Sequence, residues 1–176
     1  LHHLLKQRFP RDQVEIIDYR PRMVIRREHR RCVTRHWPFL LRRQYRKLRG
    51  LARFLAEQTT LSPRSCTSDD LDTARAFVRS LNYDAIVVGS DTVWEVRPGA
   101  GAPLPPNIYY LPDIDGLVKV SFAPSTDQTR LDLLDQGDRR ATLRRYVEDF
   151  DFVTVRDEPA RLFVTSLGVA PESIHY

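Results

Sequence analysis

The chain is poor in sulfur, with two cysteines and one methionine in 176 residues, and it has only seven glycines. Cys32 and Cys66 stand alone and far apart, which fits a reducing cytosol better than a disulfide framework. Uninterrupted apolar runs such as Ala85-Ile86-Val87-Val88 fall far short of the roughly 18 residues of a membrane span. No charged start followed by an apolar stretch marks a secretory signal. GxGxxG, Walker and HExxH patterns are absent, which weighs against a nucleotide-phosphate cradle or a zincin. There is no internal repeat. What remains, 41% hydrophobic and 29% charged residues, is the composition of a soluble globular protein rather than a disordered tail.

The net charge of +5 conceals a strong asymmetry. Between Arg20 and Arg53 lie 13 basic residues and a single acid, Glu28, so the rest of the chain carries a net charge of −7. An acidic body with one dense basic segment presents a surface for polyanions: nucleic acid, phosphorylated substrate or anionic lipid.

Strands and helices alternate along the chain. Leu1 to Leu5 reads as the middle or end of a helix, and Val14 to Tyr19 as a short strand closed by Pro21. Apolar residues at 40, 41, 45, 48, 51, 52, 54 and 55 predict a helix to Gln58, within a basic helical segment spanning 20–58. Thr59 to Cys66, with Pro63, reads as a loop. Ser68-Asp69-Asp70 caps a helix to about Leu81. The apolar run 84–88 predicts a parallel strand covered on both faces. A Pro/Gly-rich connection follows at 98–112, of the kind often found at binding sites. Then come a strand at 118–123, a helix over about 130–149, a strand at 152–155 and a helix from 156 that stops at Gly168. Ser173 to Tyr176 begins a further strand. The pattern predicts an α/β fold, a Rossmann-like three-layer sandwich with a mostly parallel sheet, incomplete at both ends.

In such folds ligands sit beyond the C-terminal strand ends. After Val88, the turn glycine Gly89 is followed by a hydroxyl at Ser90, a carboxylate at Asp91 and an aromatic plate at Trp94, groups that suit a sugar. The same residues also suit a plain strand-to-loop turn, with Asp91 capping backbone N–H groups and Trp94 plugging the core. After Ala123, Pro124-Ser125-Thr126-Asp127 offers either a phosphate or sugar contact at Ser125 or the N-cap of the next helix. Arg156, at the following strand end, is either an anion-binding fork or the partner of Asp157 and Glu158. His29, Cys32 and His36 have helical spacing, but the surrounding arginines oppose a cation and no metal site is expected. Asp113 and Asp115 read as a solvated turn.

Tyr83 to Trp94, with Gly89-Ser90-Asp91 at its centre, resembles the polysaccharide pyruvyl transferase family, which shows a tyrosine-aspartate, an apolar strand and then Gly-Ser-Asp-Gln-x-Trp-Asn. Val14 to Pro21, Tyr109-Tyr110-Leu111 with Lys119 to Ser125, and Phe150 to Glu158 resemble further segments of that family in the same order. Thr92 stands where the family has Gln, Glu95 where it has Asn and Pro124 where it has Ala. The resemblance implies the N-terminal, acceptor-facing domain of a two-domain, GT-B-like enzyme, covering 1–176, and inactive on its own. That enzyme transfers the enolpyruvyl skeleton of phosphoenolpyruvate to two sugar hydroxyls, making a ketal on a cell-surface polysaccharide or its precursor. No cofactor is implied beyond phosphoenolpyruvate as donor. Asp91 would orient or deprotonate the acceptor hydroxyl. Gly89, Ser90, Trp94, Ser125 and Arg156 would contact substrate, Trp94 by stacking and Arg156 as an anion contact. The basic segment adds the expectation of a phosphorylated, lipid-diphosphate-linked saccharide acceptor, which would place the enzyme in the cytoplasm, peripheral to the anionic inner membrane face. The competing expectations are a GT-B glycosyltransferase using a nucleotide sugar, and a non-enzymatic polyanion-binding module built on the basic segment. Nucleic acid is the weaker candidate for that segment, because no RRM, KH or helix-turn-helix pattern accompanies it.

Overall fold

A computed structural model describes residues 1–33, 38–98 and 103–176, with side chains for all of these except 28, 29, 31–33, 38–44 and 48. His29, Cys32 and His36 therefore lie outside the described side chains. The chain divides into two compact units, Leu1–Ser68 and Asp69–Tyr176. Both are α/β with parallel strands, compatible with a Rossmann-like fold.

The first unit contains helix α1 (His2–Arg8), strand β1 (Ile16–Arg20), helices α2 (Arg22–Val33) and α3 (Pro38–Gln58), and strand β2 (Leu61–Thr67). β1 and β2 pair in parallel. The loop expected over Thr59 to Cys66 is thus mostly a strand, and the register explains how Pro63 is tolerated there. Ile16 faces Leu61 but Asp18 faces Ser65, so β2 carries two extra residues opposite a short stretch of β1. Within that bulge the Ser62 hydroxyl receives the Asp18 N–H at 3.0 Å and donates to the Arg64 carbonyl at 2.8 Å. A side chain thereby supplies the pairing that proline cannot.

The second unit contains α4 (Leu71–Arg79), β3 (Ala85–Gly89), β4 (Val118–Phe122), α5 (Arg139–Glu148), β5 (Phe152–Thr154), α6 (Glu158–Ser166) and β6 (Ile174–His175). Asp70 caps α4 as its position predicts, accepting the Thr73 N–H at 2.8 Å. The four strands are parallel and lie in sequence order β3-β4-β5-β6. The helix expected over 130–149 is shorter. A 3-10 turn at Leu131–Leu133 comes first, Gly137 takes φ +64°, and α5 begins only at Arg139.

Period-two alternation gives the four-stranded sheet two unlike faces. Ile86, Val88, Ser121, Val153 and Ile174 are buried on one, together with Lys119, which reaches an ion pair with Asp149. On the other face Ala85 is exposed, Val87 is half-buried, and Val118, Phe122 and Phe152 are exposed. The expectation of a β3 strand covered on both faces therefore fails. An apolar run identifies a strand without reporting whether its second face is packed. The core lies on the first face and centres on Trp94, Tyr110, Leu143, Val147, Phe163 and Val164.

Candidate functional site at the strand ends

Because β3, β4 and β5 are parallel, the segments that leave them meet at one end of the sheet. The first turns at Gly89, whose φ is +144°. A Cβ there would stand 1.8 Å from the Phe122 carbonyl oxygen of β4, so only glycine keeps this pairing closed. A cis peptide bond leads to Ser90. The Asp91 carbonyl then accepts the Ser125 N–H at 3.0 Å, joining the loop after β3 to the loop after β4. The Pro124 carbonyl accepts the Arg156 N–H at 3.2 Å, and the Ser125 hydroxyl donates to Asp157 at 2.7 Å, joining the loop after β4 to the loop after β5. Arg156 closes the circuit by donating to the Ser90 carbonyl at 3.4 Å. Residues 90, 91, 125, 156 and 157, spread over 68 positions of sequence, form one hydrogen-bonded rim.

Within this rim the expected residues divide into open and closed groups. Ser90 and Asp91 are exposed, and the Ser90 hydroxyl has no hydrogen-bond partner among the described residues. One Asp91 carboxylate oxygen accepts the Thr92 N–H at 2.8 Å, and the other is free among the described residues. The Arg156 side chain is 47% exposed, with a loose 3.6 Å approach to Asp157. These three can meet a solute.

Ser125 and Trp94 are closed. Ser125 is 1% exposed and committed to Asp157, so it neither faces a ligand nor caps the following helix, which starts far downstream. Trp94 is wholly buried, with Tyr110 stacked on it at 5.5 Å and the edge of Phe150 at 5.7 Å. Its indole N–H donates to the Tyr109 carbonyl, and the Tyr110 hydroxyl donates to the Trp94 carbonyl, each at 3.1 Å. Of the two roles read for Trp94, the structure gives it the core plug: no face remains for a sugar to stack on. The Pro/Gly-rich connection serves the same plug, since Asn107 caps the 3-10 turn that brings Tyr110 inward.

Two acids take roles that residue types alone did not assign. Asp157 is the N-cap of α6, accepting the Ala160 N–H at 2.9 Å. Burial pushes its carboxyl upward, but the hydrogen bonds from Ser125 and Ala160, with Arg156 beside it, hold it below the ordinary carboxylate range. It positions the arginine and the serine of the rim. Glu95 is 2% exposed and takes its charge partner from Arg97 at 2.8 Å. The Asp-Glu-Pro pattern after a strand signals the first of these; nothing in the sequence signals the second.

A cavity of about 320 Å³ lies elsewhere, beside the start of β4, lined by Asp113, Asp115, Arg145, Tyr146, Glu148 and Asp149. Asp113 is not a merely solvated turn residue, because Arg75 and Arg145 both pair with it. No group of three or more His, Cys, Asp or Glu side chains among the described residues could hold a metal ion.

Comparison of the chain with protein-family models, with curated proteins and with solved structures finds no match.

Proposed function

We propose that the rim formed by Ser90, Asp91 and Arg156 is the acceptor side of a pyruvyl transferase, which joins the carbon skeleton of phosphoenolpyruvate to two hydroxyls of a sugar. The observation that supports this reading is the sharing of one strand-end rim by an open hydroxyl, a carboxylate with a free oxygen and a half-exposed guanidinium tied to the serine backbone. The sequence around Gly89-Ser90-Asp91 adds its resemblance to the polysaccharide pyruvyl transferases. As the resemblance implies, this chain would be the acceptor-facing domain of a GT-B-like enzyme.

The reaction needs a proton delivered to the methylene carbon of phosphoenolpyruvate, which leaves C2 electron-poor. One sugar hydroxyl adds there and gives up its proton. Phosphate departs with the C–O bonding pair, and the second hydroxyl closes the ketal as its own proton leaves. Asp91 accepts a hydroxyl proton or aligns the hydroxyl for attack, Ser90 hydrogen-bonds a neighbouring sugar oxygen, and Arg156 offsets the charge of a carboxylate or phosphate. The general acid for the methylene carbon is not among these three.

The product of the complete reading frame, incubated with phosphoenolpyruvate and a saccharide acceptor, is expected to release inorganic phosphate in step with ketal formation. Asp91→Ala should lower kcat by about 10²-fold or more. Turnover of a nucleotide sugar instead would assign a glycosyltransferase, and an unchanged rate in Asp91→Ala would remove the carboxylate from the acceptor role.

A further inference from the structure

The first unit presents a surface that the proposed reaction does not use. From Tyr45 to Gln58, α3 has two unlike sides. At about 100° per residue, Tyr45, Leu51, Ala52 and Leu55 fall within an arc of about 120°, and Arg49, Arg53 and Arg46 flank it, about 40° to 100° beyond Tyr45. An apolar stripe of this kind ordinarily faces a core. Here Tyr45 is 65% exposed and Leu51 56%, while Leu55 is half-buried. Among the described residues the first unit buries no apolar side chain except Pro21, and every other buried apolar side chain lies at position 74 or beyond. Its charge is equally one-sided, with 17 basic and 5 acidic residues in Leu1–Ser68. Of the three flanking arginines only Arg53 has an ion-pair partner among the described residues, Glu57 at 2.7 Å.

We propose that α3 is an interfacial helix that docks this unit on anionic lipid bilayers. Apolar side chains on one side of a basic helix match the boundary between acyl chains and headgroups, and the arginines beside them match anionic headgroups. No helix of the described residues is long and apolar enough to cross a membrane, so α3 lies in the interface plane. A polynucleotide would use the arginines but would leave Tyr45 and Leu51 in water. The bilayer is the partner that uses both the stripe and the arginines that flank it. This inference is independent of the strand-end rim and stands whichever reaction that rim performs.

The test is flotation of the intact protein with vesicles at physiological salt. The protein is expected to float with phosphatidylcholine and phosphatidylglycerol mixed three to one, and to stay behind with phosphatidylcholine alone. Neutralising Arg46 and Arg49 together (R46Q/R49Q) should weaken partition roughly 25-fold, about fivefold for each charge. Leu51→Ser with Leu55→Ser should weaken it more than tenfold while keeping its salt dependence. Tyr45→Trp, which keeps an aromatic ring on the stripe, should add an emission that shifts to the blue with the anionic vesicles only. Equal binding to both compositions, or to neither, would overturn the proposal, as would an unshifted emission from the Tyr45→Trp protein. It also fails if the leucine changes leave flotation unaltered while single-stranded RNA is bound as tightly as the vesicles. A leucine variant that merely converts a dimer to a monomer, with flotation unchanged, would assign the stripe to a second copy instead.

Discussion

Gly89 shows how much one residue governs at the strand ends. A methyl group there meets the Phe122 carbonyl at 1.8 Å, well inside contact distance, on a backbone whose φ L-residues rarely adopt. Gly89→Ala must therefore part β3 from β4 or strain the turn, and should cost about 3 kcal/mol or more in urea unfolding. An unchanged midpoint would mean that the turn is not built as described. Glu95 and Arg97 allow a second, asymmetric prediction. The glutamate side chain is 3% exposed and the arginine 38%. Arg97→Ala strands a buried carboxylate and should cost about 3 kcal/mol, whereas Glu95→Gln leaves a hydrated guanidinium and should cost about 1 kcal/mol. Equal losses would contradict the burial of Glu95. At this scale the glycine was legible because an apolar strand ending in Gly has few alternatives. Trp94 was not, because a plate for a sugar and a plug for a core are the same residue type, distinguished only by Tyr110 and Phe150 packing on it.

Among the elements, α6 ties fold to site. Its N-cap, Asp157, carries the bond to Ser125 and stands beside Arg156, so the helix start and the rim share one carboxylate. Asp157→Ala should cost about 1–2 kcal/mol at neutral pH by removing the cap and stranding the buried serine hydroxyl. The pH dependence follows from the sign of the shift. A carboxyl held below its ordinary value contributes stability that is complete above about pH 4 and is lost as pH falls through the depressed value. Asp157→Asn keeps a capping side chain but does not titrate, so its stability should fall less between pH 4 and the acid limit than that of the parent. Glu158, held down to about 2 by Arg161 and Tyr176, titrates in the same range in both proteins and cancels from the comparison. Superimposable acid limbs would show that Asp157 is not held as described. Elements with plain periodicity or caps, such as α3, α4 and β3, were legible in the sequence. β2 was hidden because Pro63 argues against a strand, and only the long-range bond from Asp18 to Ser62 makes the bulge that accommodates it. The shortening of α5 turns on Gly137 adopting a positive φ, which local propensity does not specify.

Across the whole molecule, charge and packing divide at the same place. Leu1–Ser68 holds a net charge of +12 and little buried apolar core among its described residues, while Asp69–Tyr176 holds −7 and nearly all of the core. The sequence revealed the charge division, because counting along the chain needs no coordinates. It could not reveal the packing division, because α3 has the apolar periodicity of a core helix whether or not a core receives it. Stability should be divided in the same way, since a two-stranded sheet is marginal in water unless it packs on a core, and among the described residues the first unit buries almost no apolar side chain. In hydrogen exchange of the intact protein, amides of β3, β4, α5 and α6 should be protected to nearly the global unfolding free energy. Those of β1, β2 and α3 should exchange orders of magnitude faster. Adding anionic vesicles should slow exchange in α3 and leave β3 and β4 unchanged, because a bilayer supplies to the first unit the apolar surface that the second unit already has. Uniform protection across both units before vesicles are added would show that Leu1–Ser68 has a core of its own. The apolar stripe of α3 would then need no membrane to account for it.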